Sequence, residues 1–311
     1  MDIGKVTPLR REGAERAQLR RKIRWRDASV PYLFISPFVI SFLVLFVGPV
    51  VYSFVLSFFR YKGYGPAKFT GIANYETILQ YHVFWTVLGN TFFYWLFHVI
   101  PMLAIAFLLA VLVRSKLVKW QSFYKPVIFL PNVVSAVVAA LLFQSLFGTK
   151  YGVINSLLGI EVPWLQDQTL VKYVVVFILI WGGVGWWFII FLAGLTSINP
   201  DLEEAALIDG ASIWQRLRYV ILPLMRGTFL FAFVIDGIYS LRLFTEPNVL
   251  VSLQGSLAPD YMAPLLNLLI GNLRSGRFGS ASAVGWILFV LTVIISFFQF
   301  HILRDASEEV E

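Results

Sequence analysis

VFWTVLGNTFFYWLFHVIPMLAIAFLLAVLV, residues 83–113, runs without a single Asp, Glu, Lys or Arg. A helix needs about 20 apolar residues to cross a hydrocarbon core of about 30 Å, and this stretch exceeds that length. Five more runs read the same way by length: Pro31 to Phe59, Val127 to Phe147, Val171 to Ile198, Thr228 to Phe244 and Ser280 to Leu303, of which Thr228 to Phe244 is the shortest. The tract from Met262 to Ile270 is too short to span and is expected at the interface or dipping into the bilayer. Hydrophobic residues make up 58% of the 311 positions and charged residues 14%, against about 25% charged in a soluble domain. A water-soluble fold cannot hide that much apolar surface, so the sequence predicts an all-α membrane protein with six transmembrane helices.

With no cysteine, disulfides and thiolate metal sites are excluded, and His82, His98 and His301 are too scattered to suggest a metal cluster. The net charge is +7, but nine of the 25 Lys and Arg precede Ala28, which reads as a leader facing anionic lipid rather than as a nucleic-acid surface. That leader also carries Glu12, Glu15 and Asp27, and no short apolar core with a small-residue cleavage site follows it, so it is not read as a cleaved signal peptide. Six spans put both termini on one side. With the termini inside, the inner segments hold the nine leader cations, four from Arg114 to Lys125, three from Arg216 to Arg226, and Arg304, leaving eight outside. The positive-inside rule then makes the termini cytoplasmic. The domains expected are a basic leader (1–29), a transmembrane domain (30–304) and a cytoplasmic tail (305–311).

Pro49, Pro101, Pro131, Gly182, Gly183, Gly185 and Gly237 interrupt these runs. In lipid such breakers persist where neighbouring helices, side chains or water satisfy the freed backbone groups. Each alone reads as a kink; their number favours an internal path over a passive anchor. No internal repeat of the kind found in many secondary transporters is visible. Nor is there a Gly-x-x-x-x-Gly-Lys-Ser/Thr phosphate loop, since Gly4-Lys5 lacks the upstream glycine.

Between the fourth and fifth runs lies NPDLEEAALIDGASIWQRLRYVILP, residues 199–223. Pro200 at a starting position, acidic residues in the first turn and Gly210 at the end predict a short helix, after which a second begins. Leu202, Ala205, Ala206 and Asp209 follow helical spacing and give a small, largely apolar face beside Glu203 and Glu204, suited to docking in a groove on another protein. Trp214, with Arg216 and Arg218, reads either as an anchor of a buried interface or as a membrane-interface tryptophan.

Glu204-Ala205-Ala206, Asp209-Gly210-Ala211 and Val220, Leu222, Pro223 resemble the cytoplasmic EAA loop of binding-protein-dependent ABC importer permeases. Phe69 to Tyr75, Asn90-Thr91, Leu130-Pro131, Ala193 to Leu195 and Gly279 to Ala283 are also similar to family segments, so the likeness covers about residues 30–303. Within the family it is nearest to the first permease of maltose and glycerol-phosphate systems. Gly227, Leu217 and Glu246-Pro247 depart from the common pattern.

The resemblance implies a multi-pass permease of a prokaryotic inner or plasma membrane that moves a sugar or oligosaccharide and is not itself an enzyme. Its implied partners are a second, homologous permease, a cytoplasmic ATPase dimer and an extracytoplasmic solute-binding protein, with no nucleic acid. ATP and Mg would be bound by the ATPase, not by this chain. Glu204, Ala205, Ala206, Asp209, Gly210, Ala211 and Pro223 would form the coupling site, with the short helix seated in a cleft of the ATPase.

For the substrate path, intramembrane ionisable groups tend to face a bundle interior, which singles out Asp236 and Arg242 with Tyr239 between them. Arg242 is expected to snorkel outward. Trp181, Trp186 and Trp187 offer rings for stacking on sugars or for packing against lipid; resemblance to maltose-type permeases favours Trp181 and Trp187. Asn90 and His98 are read as interhelical hydrogen-bonding residues. The alternatives are the same scaffold with a non-sugar cargo, or an ion-coupled secondary transporter.

Overall fold

A computed structural model describes residues 30–115, 118–251 and 257–308. The basic leader (1–29), with Glu12, Glu15 and Asp27, and residues 309–311 of the tail lie outside the described residues. The chain divides into two units, Met1–Val55 and Leu56–Glu311. The described part of the first belongs to helix α1 (Val30–Leu56), long and apolar enough to cross a membrane. Phe38, Phe42 and Phe46 stack at four-residue spacing along it, with centroids 6.3 and 5.2 Å apart.

The second unit is helical apart from a small antiparallel ribbon, β1 (Phe59–Arg60) with β2 (Lys68–Phe69), in which Phe59 pairs Phe69. Its helices are α2 (Ala73–Gln80), α3 (His82–Arg114), α4 (Gln121–Val133), α5 (Ala136–Leu146), α6 (Val153–Leu158), α7 (Leu170–Thr196), α8 (Pro200–Ile208), α9 (Ile213–Leu224), α10 (Arg226–Ser240), α11 (Thr245–Val251), α12 (Leu265–Arg274) and α13 (Phe278–Glu308). Among the described residues α1, α3, α7 and α13 each suffice to cross a membrane, and the pairs α4–α5 and α9–α10 make the number six if each bent pair is one span.

Those bends add detail to the sequence reading. The run Val127 to Phe147, read as one span with Pro131 as a kink, consists of two helices, α4 and α5, that meet at 94°. Pro131, which lacks an N–H, lies in the last turn of α4, and Ser135 caps the new helix by accepting from Val138 N. The run Thr228 to Phe244 ends at Ser240 and is joined to α9 at 67°. The tract Met262 to Ile270 runs into α12, which packs on α13 and α3. Two π turns, Leu43–Val47 and Leu217–Ile221, each end two residues before a proline, Pro49 and Pro223. A proline cannot donate to the carbonyl four residues back, and the widened turn redistributes the bonds around that gap.

α3 lies along α7, and α4 crosses α7 on another side. The crossing needs Gly185, where a Cβ would stand 2.6 Å from the Ile128 carbonyl oxygen. Two apolar cores are threaded on α3 and α7. One contains Phe84, Tyr94, Phe143, Val175 and Met262; the other contains Met102, Phe107, Phe188, Phe191 and Met225.

Several sequence segments that look independent meet here. Asn74 Nδ2 donates to the carbonyls of Ser57 (2.7 Å) and Phe59 (3.0 Å), and its Oδ1 accepts from Ser280 Oγ at 3.3 Å. The segments Phe69–Tyr75 and Gly279–Ala283 are therefore two halves of one joint. A Cβ on Gly279 would lie only 1.8 Å from the Phe59 carbonyl oxygen. Gly279→Ala should lower the melting temperature in detergent by the equivalent of about 1–3 kcal/mol, the usual penalty of overpacking. Gly182→Ala, with nothing within 4 Å, should match or exceed the parent; equal melting temperatures for the two variants would refute this account of the joint.

Candidate functional site: a cavity between the two cores

Between the two apolar cores lies a cavity of about 400 Å3. Tyr94, His98 and Met102 enter it from α3 at helical spacing, and Gly182 and Gly183 of α7 leave the opposite wall without side chains. The α4–α5 break supplies Asn132, whose Nδ2 donates to the Gly182 carbonyl at 3.2 Å. The remaining wall comes from the end of α10 and the chain leading into α11: Asp236, Tyr239, Arg242 and Glu246. The broken helix contributes its ends because only there do backbone and polar side chains turn away from the helical ladder.

The polar centre is Asp236, which is 8% exposed. Its Oδ1 accepts a hydrogen bond from Trp187 Nε1 at 3.0 Å. Its Oδ2 lies 3.0 Å from His98 Nε2, within ion-pair range although not aligned as a hydrogen bond. His98 Nδ1 faces the Tyr94 carbonyl at 3.0 Å, and a carbonyl only accepts, so Nδ1 carries a proton. One buried junction thus binds α3, α7 and α10. Glu246 lies on the rim, and burial pushes its carboxyl above the usual carboxylate range.

Of the four residues expected along a substrate path, Asp236 and Tyr239 line the cavity and the two tryptophans do not. Trp187 is 2% exposed and stands behind Asp236 as its donor. Trp181 packs edge-on against Phe143, centroids 5.3 Å apart. Six residues along a helix is a rotation of about 240°, so the two rings cannot share a face. Arg242, expected to snorkel away, lines the cavity as well. Asn90 is interhelical as read: its Nδ2 donates to the carbonyls of Asp260 (2.8 Å) and Ala263 (3.0 Å), and its Oδ1 accepts from Lys172 Nζ of α7 at 2.8 Å. Thr91 Oγ1 accepts from Leu265 N, and Tyr94 donates to the Met262 carbonyl. His98, Asn132 and Glu246 were not assigned to the site from sequence. Two signals could have found the last two: the polar Asn132 beside Pro131 and the departure at Glu246-Pro247.

A second feature is the hairpin of α8 and α9. Asn199 accepts from Asp201 N to start α8. At the other end Gly210 N donates to the Leu207 carbonyl and Ala211 N to the Ala206 carbonyl, and Gly210 has φ +78°. This is a Schellman ending, which explains glycine at 210. Ser212 and Gln215 form a reciprocal capping box that starts α9. Glu204, Ala205, Asp209, Gly210 and the large apolar residues Leu207, Ile208, Ile213 and Trp214 are exposed. Asp209 closes α8 and stands exposed. Ala211 follows as the last residue of the ending, and Pro223 sits beyond the π turn of α9.

Residues 78–308 match the family described as binding-protein-dependent transport system inner membrane component. The chain belongs to this family. The arabinooligosaccharides transport system permease protein AraP of Bacillus subtilis (strain 168) is 31% identical over 283 residues, 88% of this chain and 89% of that protein. The lactose transport system permease protein LacF of Rhizobium radiobacter is 30% identical over 282 residues, covering 88% and 94%. In fold, the chain is similar to a bacterial ABC transporter involved in the import of the acidic polysaccharide alginate. That likeness has a TM-score of 0.78 at 24% identity, over 93% of this chain and 99% of that one. This inner membrane component is thus a multi-pass permease of the ABC type, a transport component rather than an enzyme.

Removing one member of a buried, paired charge typically costs about 3–5 kcal/mol. Asp236→Ala should therefore destabilise the permease strongly in thermal unfolding, while Asp236→Asn, which keeps an acceptor for Trp187, should lose less. Indistinguishable unfolding of both variants and the parent would remove Asp236 from its place as the junction.

Proposed function

We propose that this chain is the transmembrane permease subunit of an ATP-binding-cassette importer for a sugar or oligosaccharide delivered by an extracytoplasmic binding protein. In this reading each bent pair counts as one span, giving six, and both termini are cytoplasmic. The observation that carries the cargo assignment is the cavity: about 400 Å3, bounded by apolar wall and by a few convergent donors and acceptors from Asn132, Tyr239 and Asp236. That size and mixture suit a small polar ligand with apolar ring faces. The names of the relatives, arabinooligosaccharide and lactose permeases, support the same class.

The α8–α9 hairpin is the docking element for a separate cytoplasmic ATPase, which binds ATP and Mg. Glu204 is exposed and makes no hydrogen bond or ion pair among the described residues, leaving its carboxylate for the partner. Ala205 and Gly210 permit close approach. A second, homologous permease completes the lumen, because the cavity wall described here comes from α3, α4–α5, α7 and α10 and includes the exposed Tyr239 and Arg242.

Two measurements test these assignments. Glu204→Lys should leave membrane insertion intact and reduce substrate-stimulated ATP hydrolysis in proteoliposomes; unchanged coupled hydrolysis would defeat the docking assignment. Tyr239→Ala should cut uptake of the transported sugar with little change in melting temperature, since Tyr239 is 69% exposed; undiminished uptake would defeat the path assignment.

A further inference from the structure

Glu203 and Glu204 are neighbours in sequence but not in environment. Among the residues of α8, Glu203 and Ala206 alone are not exposed. They are three apart and so share the face turned towards the rest of the unit. Glu203 Oε1 accepts from Arg114 Nη1 at 2.6 Å, with the two side chains 20% and 23% exposed. Among the described residues this is the one side-chain hydrogen bond or ion pair between α8 and another helix. Among the described residues, the other side-chain bonds of α8 belong to its own cap, at Asn199 and Asp201.

Arg114 is the last residue of α3, and Glu203 lies in the first turn of α8. A cation at a helix C-terminus and an anion at a helix N-terminus each favour the local dipole, so the pair joins two helix ends of matching polarity. From Arg114, α3 continues unbroken to His98 in the cavity, about 24 Å away at 1.5 Å per residue. It continues to Tyr94, Thr91 and Asn90, which hold the Asp260–Leu265 segment.

We infer that the Arg114–Glu203 ion pair is the positioning contact that transmits displacement of α8 to α3, and through it to the cavity. The inference rests on the docking reading of α8 but assigns a different residue and a different event: Glu204 faces the motor, and Glu203 faces inward to the lever. A contact across which force passes must be short, directional and sparse in alternatives. Arg114 meets these conditions, and its guanidinium stays charged at any physiological pH.

The test uses the complete transporter in proteoliposomes, with wild type, Arg114→Gln, Glu203→Gln and the double exchange Arg114→Glu/Glu203→Arg. Three quantities are read: co-purification of the ATPase, ATP hydrolysis with binding protein and sugar, and sugar taken up per ATP hydrolysed. In each single variant the ATPase should still co-purify and hydrolyse ATP, while uptake per ATP falls at least about fivefold, the lower range of intersite coupling. The double exchange should recover at least half of the loss, a non-additivity that isolates the pair. Unchanged uptake per ATP in the single variants overturns the inference and leaves docking through Glu204 untouched. So does loss of the ATPase from the single variants, which would make the pair a docking determinant, or failure of the double exchange to restore coupling. If instead the wild-type complex contains no ATPase, or Glu204→Lys has no effect on hydrolysis, the docking reading fails independently.

Discussion

A carboxylate buried in apolar surroundings must find donors or lose its charge, and the arrangement of this permease follows from how Asp236 meets that demand. Trp187 donates from α7 and His98 approaches from α3, so three helices far apart in sequence are held at one point. The same point separates the two apolar cores. Had the position carried an aliphatic side chain, the cores would have no polar reason to part there. The cavity can thus be understood as the space that a satisfied polar junction keeps open next to two side-chain-free glycines, Gly182 and Gly183.

α3 is the element through which the remaining features communicate. Its N-terminal part holds the Asp260–Leu265 segment by Asn90, Thr91 and Tyr94, its middle lines the cavity, and its end reaches α8 through Arg114. Helices on either side are broken: α4 from α5 by 94°, α9 from α10 by 67°. An unbroken helix flanked by bent ones divides labour physically, since a continuous hydrogen-bond ladder carries displacement along its axis while bends absorb it. Pro101 sits within α3 without breaking it, because the packing of α7 along that helix keeps the neighbouring turns in place.

The hairpin was the most legible part of the chain because its signals are local. Pro200 at the start and Gly210 at the end each act within a few residues, and the structure realises both; the Ser212–Gln215 capping box, which starts α9, is equally local. What sequence could not separate was Glu203 from Glu204. Adjacent positions on a helix differ by about 100° in direction, and only the presence of Arg114 decides which of the two turns inward. The bend in the third run was also hidden, since a proline followed by further apolar residues reads equally as a kink within one span or as the junction of two helices.

Length and apolarity fixed which segments are helices fit for a bilayer, and the family motifs fixed the kind of protein, because both depend on residues close together in the chain. Which faces of those helices meet was left to the tertiary structure. A span that is hydrophobic all round has no polar side to reveal its rotation, which is why Trp181 and Trp187 read alike although one packs on Phe143 and the other donates to Asp236. The junction of His98, Trp187 and Asp236 joins positions separated by 49 residues or more, and no local pattern encodes a meeting of that kind.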